Sequence, residues 1–170
     1  MFSRCILFAA AIARTQMTDI VDRRTRSRMM AGIKGKNTKP EIALRRALHA
    51  RGLRFRLHSR KIMGVPDLVF PKFNAVVFVH GCFWHRHTGC QYATTPSTRS
   101  EFWKAKFAAN IARDARVKSA LLQAGWRVAT VWECALRKPG QITFTASLVA
   151  NWLPTMLREI DIVEASRKPR

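Results

Sequence analysis

Residues 80–90 hold three histidines (His80, His85, His87), two cysteines (Cys82, Cys90) and two large aromatics (Phe83, Trp84). A further cysteine, Cys134, lies far downstream. Thiolate and imidazole are the ligands of tetrahedral zinc, and this set exceeds what one zinc needs. Some of the group is therefore left for chemistry. The stretch follows an apolar, β-like run, residues 74–79. One turn earlier, Pro66 and Asp67 stand at the start of another short apolar run. A carboxylate at a strand start, one hairpin from a histidine, is how hydrolytic nucleases hold Mg²⁺ against a phosphate. A lone Pro-Asp pair is more often a turn, so its value comes from His80 and His85.

The elements that must position these groups can be read from pattern. Thr38, Pro40 and Glu41 predict a capped helix start, with Thr38 and Glu41 forming a capping box. Ile42, Leu44, Ala47 and Leu48 supply its buried face, and Gly52 its end. Residues 53–57 alternate apolar and basic, as a half-buried strand does. Residues 67–70 and Ala75–His80 read as a hairpin around 71–74. A second capping box at Thr98–Glu101 opens a long helix running to Gly125, with Phe102, Phe107, Ile111, Val117, Leu121 and Leu122 near helical spacing. Residues 126–132 form a strand parallel to a neighbour, since a helix connects them. From Pro139 a last amphipathic helix carries Leu148, Trp152 and Leu157, followed by a polar end. The sum is an α/β fold, a mixed sheet flanked by helices.

The chain has 170 residues and a net charge of +21, with 31 Lys and Arg against 10 Asp and Glu. Hydrophobic residues make up 48 %, too many for a disordered basic tail. Residues 17–61 alone carry fourteen Lys and Arg against three Asp and Glu, a net of +11. Such density points to a polyanion such as nucleic acid. The basic residues do not alternate with a long apolar stripe, which argues against a membrane surface. Four cysteines, three of them among histidines, fit a metal knot in a reducing cytoplasm better than a disulfide scaffold. Residues 5–13 have the apolar character of a signal-peptide core but are too short to span a membrane. Met17 opens a polar stretch, and residues 1–16 are expected to lie outside the fold, as an upstream start would leave them.

Five motifs recur in a fixed order: 64–67, 78–85, 101–103, 110–114 and 125–134. Residues 25–30 match an opening motif. Together they resemble the very short patch repair endonucleases, over about residues 17–137. The resemblance implies a restriction-endonuclease-like core, a structural zinc site and Mg²⁺-dependent nicking of double-stranded DNA. The cut would fall 5′ of the thymine in T:G mismatches left by deamination of 5-methylcytosine. It implies residues 17–137 as the endonuclease domain, 138–170 as a C-terminal helix and tail, and a monomer in the bacterial nucleoid. A functional link to a DNA cytosine methyltransferase follows.

Carried over by position, Asp67 is the carboxylate for two Mg²⁺ ions, with the Val79 carbonyl as a further ligand. His85 is the general base, Asp114 orients it, His80 assists at the phosphate, and Glu41 lies near the centre. Cys82, His87, Cys90 and Cys134 hold one Zn²⁺. Phe83, Trp84 and Trp103 enter the duplex at the mismatch. Arg23, Arg24, Arg26, Arg28, Lys34 and Lys36 follow the DNA backbone. Val79 replaces a threonine of the best-known members, harmless if only its carbonyl serves. Two alternatives stand beside this reading: another metal-dependent nuclease on the same sheet, and a non-catalytic zinc-bearing DNA-binding module.

Overall fold

The structure, a computed structural model, describes residues 22, 24, 25, 27, 28, 32 and 35–164. Two compact units divide the chain, 1–33 and 34–170. In the first, Asp22 accepts hydrogen bonds from the Thr25 N–H and hydroxyl at 2.8 and 2.9 Å, an N-cap for the helical residues that follow. Arg24 and Arg28 are exposed there. Residues 1–16, Arg23, Arg26 and Lys34 lie outside the described residues.

The second unit holds a five-stranded mixed sheet in the order β1-β2-β3-β4-β5. Strands β1 (Arg56–Leu57), β2 (Leu68–Phe70) and β3 (Ala75–His80) are antiparallel neighbours; β4 (Arg127–Trp132) and β5 (Glu159–Ile162) continue in parallel with β3. Helices α1 (Lys39–Ala50), α2 (Ser100–Gln123) and α3 (Pro139–Trp152) cover it.

Two-residue periodicity divides the side chains between the faces. Leu68, Phe70, Ala75, Val77, Ala129 and Val131 meet Leu44 and Leu48 of α1 and Ala146, Val149 and Trp152 of α3. Val69, Val76 and Val128 meet Leu121 of α2, with Phe78 and Val117 packed against them. Burying each such Leu or Val contributes about 1.5–3 kcal/mol. The same alternation carries past Val76 and Phe78 to His80, and so sends His80 toward α2.

Several expectations are corrected. Thr38 caps nothing with its side chain. Its hydroxyl instead donates to Glu41 Oε1 at 2.8 Å, and Glu41 Oε2 takes the Asn37 N–H at 2.8 Å. A charged carboxylate outcompetes the backbone for the hydroxyl. The second helix start differs from expectation: α2 starts at Ser100 after a left-handed Arg99 (φ 55°) that makes no side-chain cap, and Glu101 pairs with Lys104. The strand expected over 53–57 shrinks to two residues, although Leu53 and Phe55 still pack on the core. Phe102 and Ile111 on α2 are about half exposed, since only Phe107 and Leu121 of that helix are buried. Beyond α3, the expected polar end contains β5, whose Ile160 and Ile162 face inward between Glu159 and Asp161.

The chain reaches β5 through Arg127. Its guanidinium donates to the carbonyls of Trp152, Leu153 and Leu157 at 2.7–3.0 Å and lies over the Trp152 ring. At the other end of the sheet the turn before Asp67 packs on α2. A side chain at Gly64 (φ 77°) would place its Cβ 2.3 Å from Val117, so only glycine fits.

Candidate active site and metal centre

A cleft of about 750 Å³ opens where β3 ends, lined by Asp67, His80, His85, Asp114, Glu41 and His58 among others. Asp67 directly precedes β2. Its Oδ2 accepts the Val79 N–H at 2.8 Å, a bond across the hairpin that fixes the carboxylate at the cleft. Burial pushes the Asp67 carboxyl up to about 6, the Val79 hydrogen bond working the other way. Val79's side chain packs against the main core. Val79 also lines the cleft.

His85 arises from the turn after β3, where its N–H returns to the Gly81 carbonyl. Its Nδ1 lies 2.5 Å from Asp114 Oδ2, a short charge-assisted contact to α2. Asp114 Oδ1 takes the Arg113 guanidinium at 3.1 Å. Burial alone would raise the Asp114 carboxyl, but the His85 and Arg113 contacts outweigh it and hold Asp114 below the usual carboxylate range. Nδ1 is thus committed to Asp114 and Nε2 is left for proton transfer. Asn110 secures the same helix to the turn through the Trp84 carbonyl at 2.9 Å.

His80 stacks on His85, ring centroids 3.9 Å apart and nearly parallel, and meets Trp132 edge-on. Burial, then the neighbouring His85, pushes His80 down to about 3. It is therefore a neutral hydrogen-bonding group. Glu41 lines the cleft but is only 4 % exposed. Its oxygens serve Asn37, Thr38 and the Arg45 guanidinium, the last at 2.8 Å.

On the other side of the turn, Cys82, His87, Cys90 and Cys134 bring four donor atoms within 4.8 Å of one another. Cys134 comes from the 3₁₀ turn Glu133–Leu136 that follows β4, so the set ties the loop to the sheet end. His87 Nδ1 lies 3.7 Å from Cys82 Sγ and 3.5 Å from Cys134 Sγ. Tetrahedral bonds of ordinary zinc–sulfur and zinc–nitrogen length give edges of about 3.6 Å, so the donors fit such an ion. Burial lowers the basicity of the His87 imidazole, favouring the neutral form that ligates, and the ring stacks on Trp132. Burial and crowding by the other thiols raise Cys82 and Cys134 in the absence of a cation.

Phe83, Trp84 and Trp103 form one partly buried cluster. Phe83 meets Trp84, Trp103 and Phe107 edge-on at 5.0–5.4 Å, and Trp84 lies 5.9 Å from Trp103. All three are partly exposed, and Phe83 and Trp103 lean on the buried Phe107. Of the cations expected along DNA in this unit, Lys36 is exposed and lines the cleft.

The structure also brings to the site residues that the sequence reading passed over. His58, Arg45, Arg113, Lys118 and Asp161 all belong to the cleft or its supports. Lys118 is ion-paired to Glu159 and Asp161 of β5, at 2.9 and 3.6 Å. A carboxylate, an Asp-held histidine and a neutral histidine in one cleft make a set suited to metal-assisted, acid–base hydrolysis.

The profile of the family described as DNA mismatch endonuclease Vsr matches residues 18–91. The type II nicking enzyme V.XorIIP of Xanthomonas oryzae pv. oryzae is 48 % identical over 126 residues, 74 % of this chain and 92 % of that protein. The DNA mismatch endonuclease Vsr of Escherichia coli K12 is 43 % identical over 127 residues, 75 % and 81 % of the two chains. The type II nicking enzyme V.NmeAIP of Neisseria meningitidis is 40 % identical over 121 residues, 71 % and 86 %. The chain belongs to the DNA mismatch endonuclease Vsr family and is an endonuclease. A non-catalytic binding module is thereby set aside. Among the described residues, no helix is long and apolar enough to cross a membrane.

Proposed function

We propose that this endonuclease nicks double-stranded DNA 5′ of the thymine in T:G mismatches, using Mg²⁺ at Asp67 and a structural Zn²⁺ at Cys82, His87, Cys90 and Cys134. The observation that carries it is that Asp67, fixed by the Val79 amide, and the His85–Asp114 pair open onto one cleft. Mg²⁺ commonly binds through one or two carboxylates, with waters and substrate phosphates completing its shell. Asp67 supplies one carboxylate there, Glu41 being engaged by Asn37, Thr38 and Arg45, which suits that donor count. Bound there, the ion would polarise the phosphate and neutralise developing charge.

The chain's own groups do the rest. Asp114 holds the proton of His85 on Nδ1 and leaves Nε2 to take a proton from the attacking water. The water oxygen forms the new bond to phosphorus as one ester oxygen leaves. Neutral His80 hydrogen-bonds the phosphate beside His85. Phe83, Trp84 and Trp103 wedge into the duplex, and a mispaired step is cheaper to unstack than a paired one. The names of the Escherichia coli and Xanthomonas relatives, a mismatch endonuclease and a nicking enzyme, agree with this. The reading keeps the restriction-endonuclease-like core, a monomer, and a functional link to a DNA cytosine methyltransferase, whose product generates the mismatch.

The test is nicking of matched and T:G oligonucleotide duplexes, with and without Mg²⁺, by wild type and Asp67→Asn. Mismatch-selective, Mg²⁺-dependent nicking lost in Asp67→Asn is the expected result. Equal cutting of matched duplex would favour a general nuclease instead.

A further inference from the structure

We propose that His58 is a positioning residue for Asp67, presenting its Nδ1–H to the carboxylate oxygen that Val79 leaves unclaimed. It thereby links the Glu41–Arg45 pair of α1 to the metal-binding centre. This deepens the reading of Asp67 as the Mg²⁺ carboxylate and rests on it.

The polarity of the contacts fixes the tautomer. Arg45 can only donate, and its Nη2 lies 2.8 Å from Glu41 Oε2 and 3.0 Å from His58 Nε2. A hydrogen on Nε2 would oppose the guanidinium N–H, so Nε2 accepts. Asn37 Oδ1 is the more distant neighbour of Nε2, at 3.3 Å, and takes Arg45 Nη1 at 2.6 Å. The proton of a neutral His58 therefore lies on Nδ1. Burial, then the Arg45 charge, lowers the basicity of His58.

Nδ1 faces Asp67 Oδ1 at 3.9 Å. That separation exceeds a hydrogen bond, and acts as a dipole aimed at the carboxylate. Oδ2 is held by the Val79 N–H at 2.8 Å. Oδ2 is thus anchored by a main-chain hydrogen bond, while the imidazole lies beside Oδ1 and biases it electrostatically. An ionised carboxylate offers about four acceptor sites, so a cation can still be accommodated.

The backbone supplies a second, independent sign. His58 sits at φ 45°, in the left-handed region that non-glycine residues seldom adopt, at a cost of about 1 kcal/mol or more. It lies just past the two-residue strand β1, where the left-handed backbone ends the extended run, and its Nδ1 stands 3.9 Å from Asp67.

The experiment uses the full chain as wild type, His58→Ala and His58→Gln. A glutamine can accept from Arg45 through its carbonyl and donate toward Asp67 through its amide, so it preserves the polarity. The readouts are the Mg²⁺ concentration for half-maximal single-turnover nicking and Mn²⁺ binding to free protein, corrected with Asp67→Asn. Metal-free duplex binding and thermal melting serve as controls. Partners that orient a metal ligand typically influence affinity by about 10–100-fold. His58→Ala should therefore need about tenfold more Mg²⁺ and bind Mn²⁺ correspondingly less well, with duplex binding unchanged. His58→Gln should return to within about threefold of wild type. An unchanged metal requirement in His58→Ala overturns the proposal, as does equal impairment of both variants with lowered melting, which would make His58 packing alone. If wild type itself shows no Asp67-dependent metal binding, the assignment of Asp67 falls, and this inference with it.

Discussion

Replacing Asp114 with asparagine isolates what the carboxylate does for His85. When His85 takes the proton of the attacking water, a positive charge forms beside Asp114. With charge centres about 4 Å apart and an effective dielectric of about 20, the attraction is about 4 kcal/mol. The two side chains are 19 % and 22 % exposed, and Arg113 shares the carboxylate, so about half of that survives. A loss of about 2 kcal/mol is about 30-fold in rate. Asparagine brings a second fault. Its amide can donate to Nδ1 and move the imidazole proton to Nε2, the atom that must stay free. The combined loss then extends toward about 1000-fold, within what a general base contributes. The measurement is single-turnover nicking of an end-labelled T:G duplex at saturating enzyme and Mg²⁺, with duplex affinity and melting temperature as controls. Affinity and melting should hardly change. A rate within about threefold of wild type, or a fall in rate matched by one in affinity, would refute the reasoning.

Because burial raises the Asp67 carboxyl to about 6, its protonated form accumulates below that pH and cannot ligate a cation. Nicking should fall about tenfold per pH unit on the acid side, and added Mg²⁺ should move that limb to lower pH; a limb indifferent to Mg²⁺ would point to another group. Purified reduced protein should carry one zinc per chain, and Cys134→Ser should lose it. Loss of a structural metal costs above about 4 kcal/mol, about 8–16 °C in a chain of this size. Zinc-free wild type by metal analysis would contradict this. Trp84→Ala should blunt discrimination between T:G and T:A duplexes more than it weakens salt-sensitive nonspecific binding; unchanged discrimination would make Trp84 only a member of the aromatic cluster.

The hairpin, the parallel β4 and the long helix α2 were legible because apolar alternation and a helical connection leave little choice. His80 and His85 were legible through their density near Cys82, and they do converge with Asp114 across 29 residues of chain. What escaped is instructive in physical terms. His58 is a lone histidine at the end of an alternating run, and nothing local shows that Arg45, thirteen residues earlier, will dictate its tautomer. Glu41 looked like half of a capping box. Its charge attracts a guanidinium and a hydroxyl more strongly than it caps, which only tertiary placement reveals. β5 has an alternating Glu-Ile-Asp-Ile pattern, but four residues with two acids read as readily as a solvated end.

Strand β5 also determines when this protein can fold. Residues 127–132 form the sheet's parallel centre, yet β4 gains its second neighbour only from residues 159–162. Until then, β4 presents an unpaired edge, and Val131 and Trp152 lack the cover of Ile162. At about 5–20 residues per second, a ribosome needs seconds to travel from β4 to β5. During that interval the nascent chain carries a basic, half-closed sheet with an adhesive margin. Completion of the sheet, and with it the seating of Lys118 against Glu159 and Asp161 at the cleft, waits on residues 159–162. A message cut short within that interval would yield an aggregating fragment, with the cleft never assembled.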